Sequence, residues 1–580
     1  MKNRTFSTSP KALWLLPATL LIAACSTTAP PSPPPPAPAL LGASRGATLQ
    51  ACEGLAAGLR LEHTQIDTSA LVAEGALKLG PRAMPAHCLV KGSMHQRRGS
   101  DGRDYAIAFE MRLPQAWNGR FYYQGNGGLD GHVQPALGAL GGGPLTGALA
   151  QGFAVISSDA GHTGAQTPFF GLEPQARLDY GYQAVAKLTP MAKELIRAAY
   201  GKGPDRSYIG GCSNGGRHAM VAAARLGEQY DGYLIGAPGY RLPHAALAQL
   251  WAAQQFAPLA TPGATAPHPL APQGRIPDLA SAFTPQERQT VVRAILEKCD
   301  ALDGARDGLV QDVQACQASF SLQTDVPGCS AARDGACLSP AQKRVIGELF
   351  SGARTAGGQA IYAPFPYDSG LAAANWGIWK FVNSLALDPL AVGAVFSVPP
   401  GRIDPLKEDL GARLPLMSAS NEIYRESGLA LMAPPGHEHP TNLAALRARG
   451  ARMVLYHGVS DAVFSAEDTR QWVDRLDRAL GGQAADFARY FPVPGMNHCS
   501  GGPSTDQFDL LGPLVQWVEQ GVPPQGVPAT ARGAGNAGGS NAELPADWSA
   551  TRTRPLCAYP TVARYRGAGS VEDAGSFVCQ

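Results

Sequence analysis

The sequence predicts an α/β fold in which a mostly parallel sheet is covered by helices. Short apolar runs typical of buried strands alternate with helical patterns along the chain. The pentapeptide G-C-S-N-G at 211–215 has the G-x-S-x-G pattern of a nucleophile elbow, a sharp strand-to-helix turn that exposes a serine hydroxyl. Ser213, Asp461 and His498 follow one another in the chain order expected of α/β-hydrolases.

Local patterns predict the individual strands and helices. Apolar runs bounded by small residues predict strands at 119–125, 152–158, 207–210, 233–235, 453–456 and 491–493. A helix is predicted at 215–226, directly after the nucleophile turn. A second helix is predicted at 466–480, with Ser465 as its N-cap and Asp468 three residues later, as in a capping box.

The alternating pattern breaks off in the middle of the chain. Residues 244–443 contain proline-rich loops, scattered helices and four cysteines, and they separate Ser213 from Asp461. Such an insertion is compatible with an α/β-hydrolase. We therefore predict an α/β-hydrolase catalytic domain formed by 46–243 and 444–580, with 244–443 as an inserted lid domain over the site.

The N-terminus has the features of a bacterial export signal. Residues 1–24 combine a basic start with an apolar run that is too short to span a bilayer. The sequence I-A-A-C at 22–25 resembles a lipobox, so Cys25 is expected to carry a lipid, and Ser26 favours sorting to the outer membrane. An ordinary cleaved signal with a chance cysteine is the alternative. Residues 25–45 are rich in proline and predict a stiff, extended tether.

Composition and charge limit the partners of the chain. Its 580 residues suffice for more than one domain, and the formal net charge is +2 without a long basic or acidic block. Nucleic-acid binding requires a basic stripe, so we expect no nucleic-acid partner. We expect an outer-membrane lipoprotein, or a periplasmic or extracellular protein, which contacts the membrane only through its lipid anchor.

The cysteines predict disulfide bonds. The chain has eleven, of which ten remain when Cys25 is set aside, and an even number in an exported chain favours disulfides because that compartment is oxidising. Connectivity does not follow from the count. Nearest-neighbour pairing would give Cys52–Cys88, Cys299–Cys316, Cys329–Cys337 and Cys557–Cys579. A zinc site is the alternative, although the sequence has no Cys-x-x-Cys spacing.

Nearest-neighbour pairing leaves two cysteines that flank the catalytic candidates. Cys212 directly precedes Ser213, and Cys499 directly follows His498. A bond between them would place their Cα atoms about 4.4–6.8 Å apart. It would therefore hold the serine close to the histidine, although nearly half of the chain separates them.

Ser213, His498 and Asp461 fill the three roles that ester hydrolysis at a serine requires. Ser213 is the predicted nucleophile. His498 is the predicted general base, which then acts as general acid toward the leaving alcohol. Asp461 is expected to orient the imidazole and to stabilise its charged form.

The other residues that could fill these roles have simpler explanations. Asp468 lies within a predicted helix, where a solvated or capping role suffices. His457 is either a structural hydrogen-bonding residue or a substrate contact. His437 and His439 lie in a proline-rich loop that no predicted strand precedes.

The oxyanion hole requires two backbone N–H donors aimed at the developing negative charge. The N–H of Asn214 follows the nucleophile and begins a helix, so it is one predicted donor. Gly125 is the other, because a glycine lets the backbone approach the substrate closely. A plain tight turn is the alternative explanation for this glycine.

Three carboxylates on a glycine-containing loop predict a calcium site. Asp300, Asp303 and Asp307 are the side-chain candidates, and the backbone carbonyls of Ala305 and Leu309 could complete the shell, because Ca²⁺ prefers oxygen ligands. The spacing differs from that of an EF-hand. A solvated acidic turn is the alternative. The ion would be structural, since the loop lies in the predicted lid, and no organic cofactor is expected.

Five motifs together resemble the tannase and feruloyl esterase family. The likeness extends from about residue 52 to 579. The motifs are G-C-S-N-G-G-R at 211–217, G-A-P-G at 236–239, C-D-A-L-D-G with D-G at 299–308, Y-H-G-V-S-D at 456–461 and P-G-M-N-H-C-S-G-G at 494–502. Further segments resemble the members that hydrolyse mono(2-hydroxyethyl) terephthalate, namely 170–179, 460–466 and 552–560.

The resemblance implies the bond between Cys212 and Cys499, the catalytic triad, the two oxyanion amides and the calcium ligands named above. It also implies an aromatic-lined substrate pocket, formed by Trp376, Phe396, Phe464 and His457. The terephthalate-cleaving members have a glutamate at the position of Asn214, which leaves the backbone amide unaffected.

One departure concerns the free carboxylate of a terephthalate monoester. The lid arginine that binds this group in those members has no clear counterpart here, and Lys380 and Arg402 are the nearest substitutes in sequence. The function implied is a serine esterase that cleaves esters of aromatic acids, such as mono(2-hydroxyethyl) terephthalate, through an acyl-enzyme. A feruloyl esterase or tannase acting on plant phenolic esters is the alternative. A non-catalytic, calcium-dependent surface-binding lipoprotein is the alternative from another class.

Overall fold

The computed structural model describes residues 41–143, 147–271, 273–436 and 443–580. The predicted signal peptide at 1–24, Cys25 and most of the 25–45 tether lie outside the described residues, as do His437 and His439. What the sequence predicts for these positions therefore stays a prediction.

A nine-stranded mixed sheet forms the centre of the described structure. Its strands are, in chain order, β1 Thr64–Val72, β2 His87–Arg98, β3 Asp104–Pro114, β4 Arg120–Gln124, β5 Ala154–Ser158, β6 Arg206–Cys212, β7 Gly232–Gly236, β8 Arg452–Gly458 and β9 Ala488–Val493. In space they follow the order β9-β8-β7-β6-β4-β5-β3-β2-β1. Strands β4 to β9 are parallel to one another, whereas β1, β2 and β3 pair antiparallel. This order, with β4 and β5 exchanged, is the predicted α/β-hydrolase arrangement.

Both faces of the parallel part of the sheet are buried. In β7, the side chains of Tyr233 and Ile235 join an apolar cluster on one face, and Leu234 joins a second cluster on the other face. Successive strand residues point to opposite faces, so a strand covered on both sides is apolar throughout. This explains why these strands could be predicted from continuous apolar runs.

The antiparallel strands β1 to β3 are absent from the sequence-based prediction. In β2, the side chains of Cys88, Val90 and Met94 are buried, while Leu89 and Lys91 between them are more exposed. Such alternation is typical of a strand with one face on the core. No helix separates these strands, so the alternation of strands and helices used in the prediction does not extend to them.

The longer helices are α1 Ala184–Tyr200, α2 Asn214–Arg225, α3 Leu242–Phe256, α4 Pro285–Cys299, α5 Pro340–Ser351, α6 Ser384–Ala391, α7 Ala466–Ala479 and α8 Leu511–Gln520. Shorter α-helical segments are Leu55–Gly58, Pro174–Leu178, Val313–Ser319, Leu322–Asp325, Ala374–Gly377, Leu410–Arg413, Gly428–Met432 and Ala444–Ala448. Three π-helical segments are Asp179–Gln183, Ile378–Asn383 and Val392–Phe396. Two-stranded and three-stranded ribbons complete the described residues, with strands Ala47–Thr48, Lys78–Leu79, Arg82–Ala83, Ala116–Trp117, Thr265–Pro267, Arg275–Pro277, Gln507–Phe508, Gly526–Thr530, Thr553–Cys557, Ala563–Tyr565 and Phe577–Cys579.

A large insertion separates two neighbouring strands. β7 ends at Gly236 and β8 begins at Arg452, yet the two strands are hydrogen-bonded to each other. The predicted lid, 244–443, falls within this insertion. Its helical stretch Ala374–Phe396 is long and apolar enough to cross a membrane, but most of it is buried within the protein, as in a core helix.

The start of α7 differs in one detail from the predicted capping box. The side chain of Ser465 accepts a hydrogen bond from the N–H of Glu467 (3.1 Å), as expected of an N-cap. Asp468 is buried and neither caps the helix nor faces solvent. Its carboxylate accepts a hydrogen bond from the Tyr240 hydroxyl (3.1 Å) and pairs with Arg241, so it connects α7 to the start of α3.

Five disulfides are formed in the described structure, and they confirm the predicted pairing. Four join cysteines close in sequence, namely Cys52–Cys88, Cys299–Cys316, Cys329–Cys337 and Cys557–Cys579. The fifth joins Cys212 to Cys499 across a sequence separation of 287 residues. Five disulfides are typical of a protein that folds in an oxidising compartment, which supports export.

Candidate active site

The nucleophile elbow lies between β6 and α2. Ser213 has φ 66° and ψ −127°, a backbone conformation that only tight surrounding structure maintains for a non-glycine residue. The neighbouring glycines allow this turn. A Cβ atom at Gly215 would lie 2.2 Å from the carbonyl oxygen of Gly125, and one at Gly211 would lie 2.4 Å from the same atom. The G-x-S-x-G pattern is therefore required by close backbone packing.

The structure brings the three predicted catalytic residues together. The hydroxyl of Ser213 donates to Nε2 of His498 (2.7 Å), and Nδ1 of His498 donates to Oδ2 of Asp461 (2.7 Å). Ser213 and His498 are 285 residues apart in sequence. These distances are those of a nucleophile, a base and the group that orients the base.

Asp461 is buried and fully hydrogen-bonded. Its Oδ1 accepts the N–H groups of Val463 (2.9 Å) and Phe464 (3.0 Å), and its Oδ2 faces both His498 and His457. Burial alone would raise the pKa of this carboxyl. The adjacent His498 and the hydrogen bonds from both imidazoles outweigh burial and hold the pKa well below its usual range. Asp461 is thus ionised and oriented.

His457 is a neighbour of Asp461 in the core, although the family resemblance predicts a substrate contact for it. Its side chain is fully buried. Its Nδ1 is 2.8 Å from the Thr469 hydroxyl, and its Nε2 is 3.2 Å from Asp461 and 3.1 Å from the carbonyl of Phe464. Both ring nitrogens are engaged, so His457 supports the aspartate and has no ring nitrogen left for a substrate.

The disulfide between Cys212 and Cys499 connects the nucleophile turn to the histidine loop. The Cα atoms of the two cysteines are 6.0 Å apart, within the predicted range. Because each cysteine is covalently next to Ser213 or His498, the bond limits how far these two residues can separate.

Two aromatic side chains flank the catalytic imidazole. The rings of Phe464 and Trp379 each lie 5.3 Å from the ring of His498, in edge-to-face geometry. Phe464 is among the predicted pocket residues, whereas Trp379 is not. Trp379 is half-buried and lies on the π-helical segment Ile378–Asn383, three residues after Trp376. This three-residue spacing from the predicted pocket residue Trp376 is the sequence signal that could have identified Trp379.

The predicted pocket residues Trp376 and Phe396 are placed elsewhere. Trp376 is 3% exposed and packs against Phe283 and Phe381, with ring centroids 6.2 and 5.7 Å away. Phe396 is 1% exposed and belongs to the main apolar cluster. Neither ring contacts the imidazole. Both residues therefore pack in the apolar core.

The predicted oxyanion donors differ in their availability. Asn214 is the first residue of α2, where backbone N–H groups have no helical acceptor. The N–H of Gly125, however, donates to the carbonyl of Gly210 (2.9 Å), so it continues the ladder between β4 and β6. The next two amides, of Asn126 and Gly127, have no hydrogen-bond acceptor among the described residues. Unlike the Gly125 amide, these two are available to supply the second donor.

A buried polar network holds Asn214 in position. Its side-chain amide donates to Asp130 (2.7 Å), and its carbonyl oxygen accepts from Arg217 (2.6 Å). Asp130 also faces Nε2 of His218 (2.9 Å). Burial and the nearby Arg217 charge lower the pKa of His218, so this imidazole is neutral at neutral pH. The network ties the start of α2 to the glycine-rich loop that contains Gly127.

The predicted calcium loop is partly suited to a cation. Asp303 is buried, and its Oδ2 has no hydrogen-bond partner among the described residues. Burial, together with the charges of Asp307 and Asp300, raises the pKa of Asp303 to about 7. The N–H groups of Ala305 and Leu309 donate to Asp303 and Asp307 (3.0 and 3.1 Å), so both residues lie against the carboxylates of the loop.

Other features of this loop suit a cation less well. Asp307 forms an ion pair with Arg554, and Asp300 accepts the N–H groups of Asp307 and Gly308. Within the described ranges, no group of three or more His, Cys, Asp or Glu side chains is arranged to hold a metal ion. The suitability of this loop for a calcium ion therefore depends on Asp303.

Comparison with known proteins finds similar chains among esterases. The family model described as tannase and feruloyl esterase matches residues 88–580. The mono(2-hydroxyethyl) terephthalate hydrolase of Piscinibacter sakaiensis is 38% identical over 534 residues, covering 86% of this chain and 85% of that protein. An uncharacterised esterase of Xanthomonas campestris pv. campestris is 31% identical and covers 91% of both chains. The crystal structure of feruloyl esterase B from Aspergillus oryzae superposes with a TM-score of 0.71 at 23% identity, over 91% of this chain and 99% of that one.

Removing the bond between Cys212 and Cys499 should inactivate the enzyme. In a Cys212→Ser/Cys499→Ser variant we expect p-nitrophenyl acetate turnover to fall at least tenfold, because displacement of the base by about 1 Å costs about a hundredfold in rate. We also expect a stability loss of about 2–5 kcal/mol in urea unfolding. The matched control is Cys329→Ser/Cys337→Ser, which opens a disulfide of the insertion remote from Ser213 in sequence. Full activity of the first variant would contradict the assigned role.

Proposed function

Because this chain belongs to the tannase and feruloyl esterase family, we propose that it hydrolyses esters of aromatic carboxylic acids through an acyl-enzyme at Ser213. The observation that carries the proposal is the pair of 2.7 Å hydrogen bonds linking Ser213, His498 and Asp461. The chain is a carboxylic ester hydrolase, as its relatives are. The aromatic acyl group is supported by Trp379 and Phe464, which flank the imidazole.

In the first half of the reaction, Oγ of Ser213 attacks the ester carbonyl carbon while Nε2 of His498 takes the hydroxyl proton. The ionised Asp461 stabilises the imidazolium that forms. Backbone N–H groups of Asn214 and of the adjoining glycine-rich loop stabilise the negative charge on the former carbonyl oxygen. The bond to the alcohol oxygen then breaks, His498 donates its proton to that oxygen, and the acyl-enzyme remains.

In the second half, water replaces the alcohol. His498 takes a proton from the water as its oxygen attacks the acyl carbon, and the same backbone donors stabilise the second tetrahedral intermediate. The bond to Oγ breaks and His498 returns the proton to Ser213. The products are the aromatic acid and the free enzyme, so the cycle requires no cofactor for the chemistry.

The identity of the acyl group depends on how its far end is bound. A terephthalate monoester carries a free carboxylate, which a nearby cation would recognise. Lys380 is 1% exposed, with its Nζ 3.9 Å from the centroid of the Phe365 ring and 3.2 Å from Gln249, so its ammonium group is buried against other side chains. We therefore keep two candidates: a mono(2-hydroxyethyl) terephthalate-like monoester, suggested by the relative from Piscinibacter sakaiensis, and a ferulate or gallate ester of plant phenolics.

Substitution of the nucleophile tests the esterase assignment. We expect Ser213→Ala to lower p-nitrophenyl acetate turnover at least a thousandfold, because the covalent intermediate can no longer form. Unchanged circular dichroism and thermal unfolding will show that the fold is retained. Equal turnover by the variant and the wild type would overturn the proposal, and equality at the uncatalysed rate would favour a non-catalytic, calcium-dependent surface-binding protein.

Trp379 tests the aromatic preference. We expect Trp379→Ala to lower kcat/KM about tenfold, or 1.4 kcal/mol, for methyl ferulate, a gallate ester or mono(2-hydroxyethyl) terephthalate, whichever the wild type prefers. Turnover of p-nitrophenyl acetate should change less than threefold, since an acetyl group is too small to pack on the indole. Equal losses on all substrates would argue against an aromatic acyl site. The wild-type ranking of the three aromatic esters separates the two substrate candidates.

We also propose a structural calcium ion on the loop containing Asp300, Asp303 and Asp307, with the Ala305 and Leu309 carbonyls as further ligands. The unpaired, buried Asp303 oxygen supports this. The ion would offset the like charges of the loop and would not enter the chemistry. The lipid anchor at Cys25 likewise remains a proposal.

Calcium should stabilise the protein, and more so at higher pH. With Asp303 at a folded pKa of about 7, the metal-free folded state holds a proton that the unfolded state loses near pH 4. Metal-free stability should therefore fall as the pH rises from about 4 to about 7, while calcium affinity should rise by up to about tenfold per pH unit below pH 7 and level off above it. Thermal unfolding with calcium or a chelator measures both.

Asp303→Asn should abolish the calcium-dependent shift of the melting temperature. Asp334→Asn, at an exposed carboxylate of the same insertion, is the control that should retain it. A wild-type protein whose melting temperature at pH 8 is the same with calcium and with chelator has no such site.

A further inference from the structure

Asp368 belongs to the insertion but contacts both loops that contain the catalytic acid and base. Its Oδ2 accepts a hydrogen bond from the Ser460 hydroxyl (2.6 Å) and another from the N–H of Gly495 (2.7 Å). Ser460 directly precedes Asp461, and Gly495 lies three residues before His498. One carboxylate oxygen therefore bridges the loop of the acid and the loop of the base.

The residues that follow Asp368 reinforce this bridge. The N–H of Gly370 donates to the Ser460 hydroxyl (2.8 Å), and the side chain of Asn497 donates to the carbonyl of Gly370 (3.1 Å). A Cβ atom at Gly370 would lie 2.5 Å from the carbonyl oxygen of Gly495. The segment is thus inserted between the two loops without room for a side chain at its centre.

Burial of this carboxylate is costly. Asp368 is 1% exposed, and its Oδ1 has no hydrogen-bond partner among the described residues. A buried carboxylate oxygen without a hydrogen-bond partner lowers the stability of the folded state, and an apolar side chain at this position would avoid that loss. An apolar residue could fill the same space, but it could not accept hydrogen bonds from two separate loops.

We propose that Asp368 is a positioning residue of the esterase, which keeps the Asp461 loop and the His498 loop in register through Ser460 and Gly495. The inserted region then completes the catalytic geometry and does more than cover the site. The inference rests on the proposed serine chemistry. Asp368 itself touches neither the substrate nor the reacting atoms.

The test compares Asp368→Leu with Glu287→Leu at pH 8, where Asp368, with a pKa raised by burial to about 6, is ionised in the wild type. Glu287 is an equally buried carboxylate of the insertion that pairs with Arg333 and caps a helix, away from both catalytic loops. For Asp368→Leu, which removes the acceptor but keeps a branched side chain, we expect kcat on p-nitrophenyl acetate to fall about tenfold to a hundredfold with KM changed less than twofold. Asp368→Asn retains a carbonyl acceptor and should recover much of this loss. For Glu287→Leu we expect lower thermal stability and kcat within twofold of wild type.

Ser460→Ala keeps the test decisive if Asp368→Leu does not fold. It removes one donor to Asp368, and we expect kcat to fall about fivefold. In the folded double variant, the loss should be smaller than the product of the two single losses, because both act through one hydrogen bond. An Asp368→Leu or Ser460→Ala kcat within twofold of wild type would overturn the inference, as would an equal loss in Glu287→Leu. If Ser213→Ala is also active, the proposed function fails; if only Asp368→Leu is active, the positioning role alone fails.

Discussion

The disulfide between Cys212 and Cys499 is the constraint on which the catalytic geometry depends. Ser213 lies in a strained turn at the end of β6, and His498 lies in an irregular loop after β9, three strands away in the sheet. Loops at the ends of strands are the parts of a fold that open most readily. A covalent bond between the neighbours of the two residues removes most of that freedom, so the 2.7 Å contact is maintained without a rigid secondary structure on the histidine side.

The acid is held by polar contacts instead of a covalent bond. Asp461 accepts two backbone N–H groups and two imidazoles, and this set of donors keeps a fully buried carboxylate ionised. His457 supplies the second imidazole from the core side and in turn binds Thr469 of α7. The catalytic aspartate is therefore fixed to a helix of the main domain, which limits its movement when His498 becomes charged during the reaction.

Much of the fold and of the triad could be predicted from the sequence, because both leave local signals. A strand buried on both faces is a continuous apolar run, and the close approach of Gly215 to Gly125 demands a glycine. The predicted roles of Gly125 and Trp376 show where such signals end. Whether a glycine N–H faces a substrate or a neighbouring strand depends on sheet register. Trp376 and Trp379 are three residues apart, and which of them faces the imidazole depends on the π-helical winding of this segment. Neither strand register nor helix winding can be predicted from the residue types alone.

The insertion between β7 and β8 is part of the catalytic site in this structure. It provides Trp379, whose ring meets the imidazole, and Asp368, whose carboxylate joins the two catalytic loops. If the insertion opened as a rigid body, the hydrogen bonds of Asp368 would break. The loops of Asp461 and His498 would then lose their relative position at each opening. Substrate entry is therefore more easily reconciled with local movement of side chains such as Trp379, which is half-buried, than with opening of the whole insertion. The hydrogen bonds of Asp368 thus favour a closed arrangement of this part of the insertion, with Trp379 at its edge beside the imidazole.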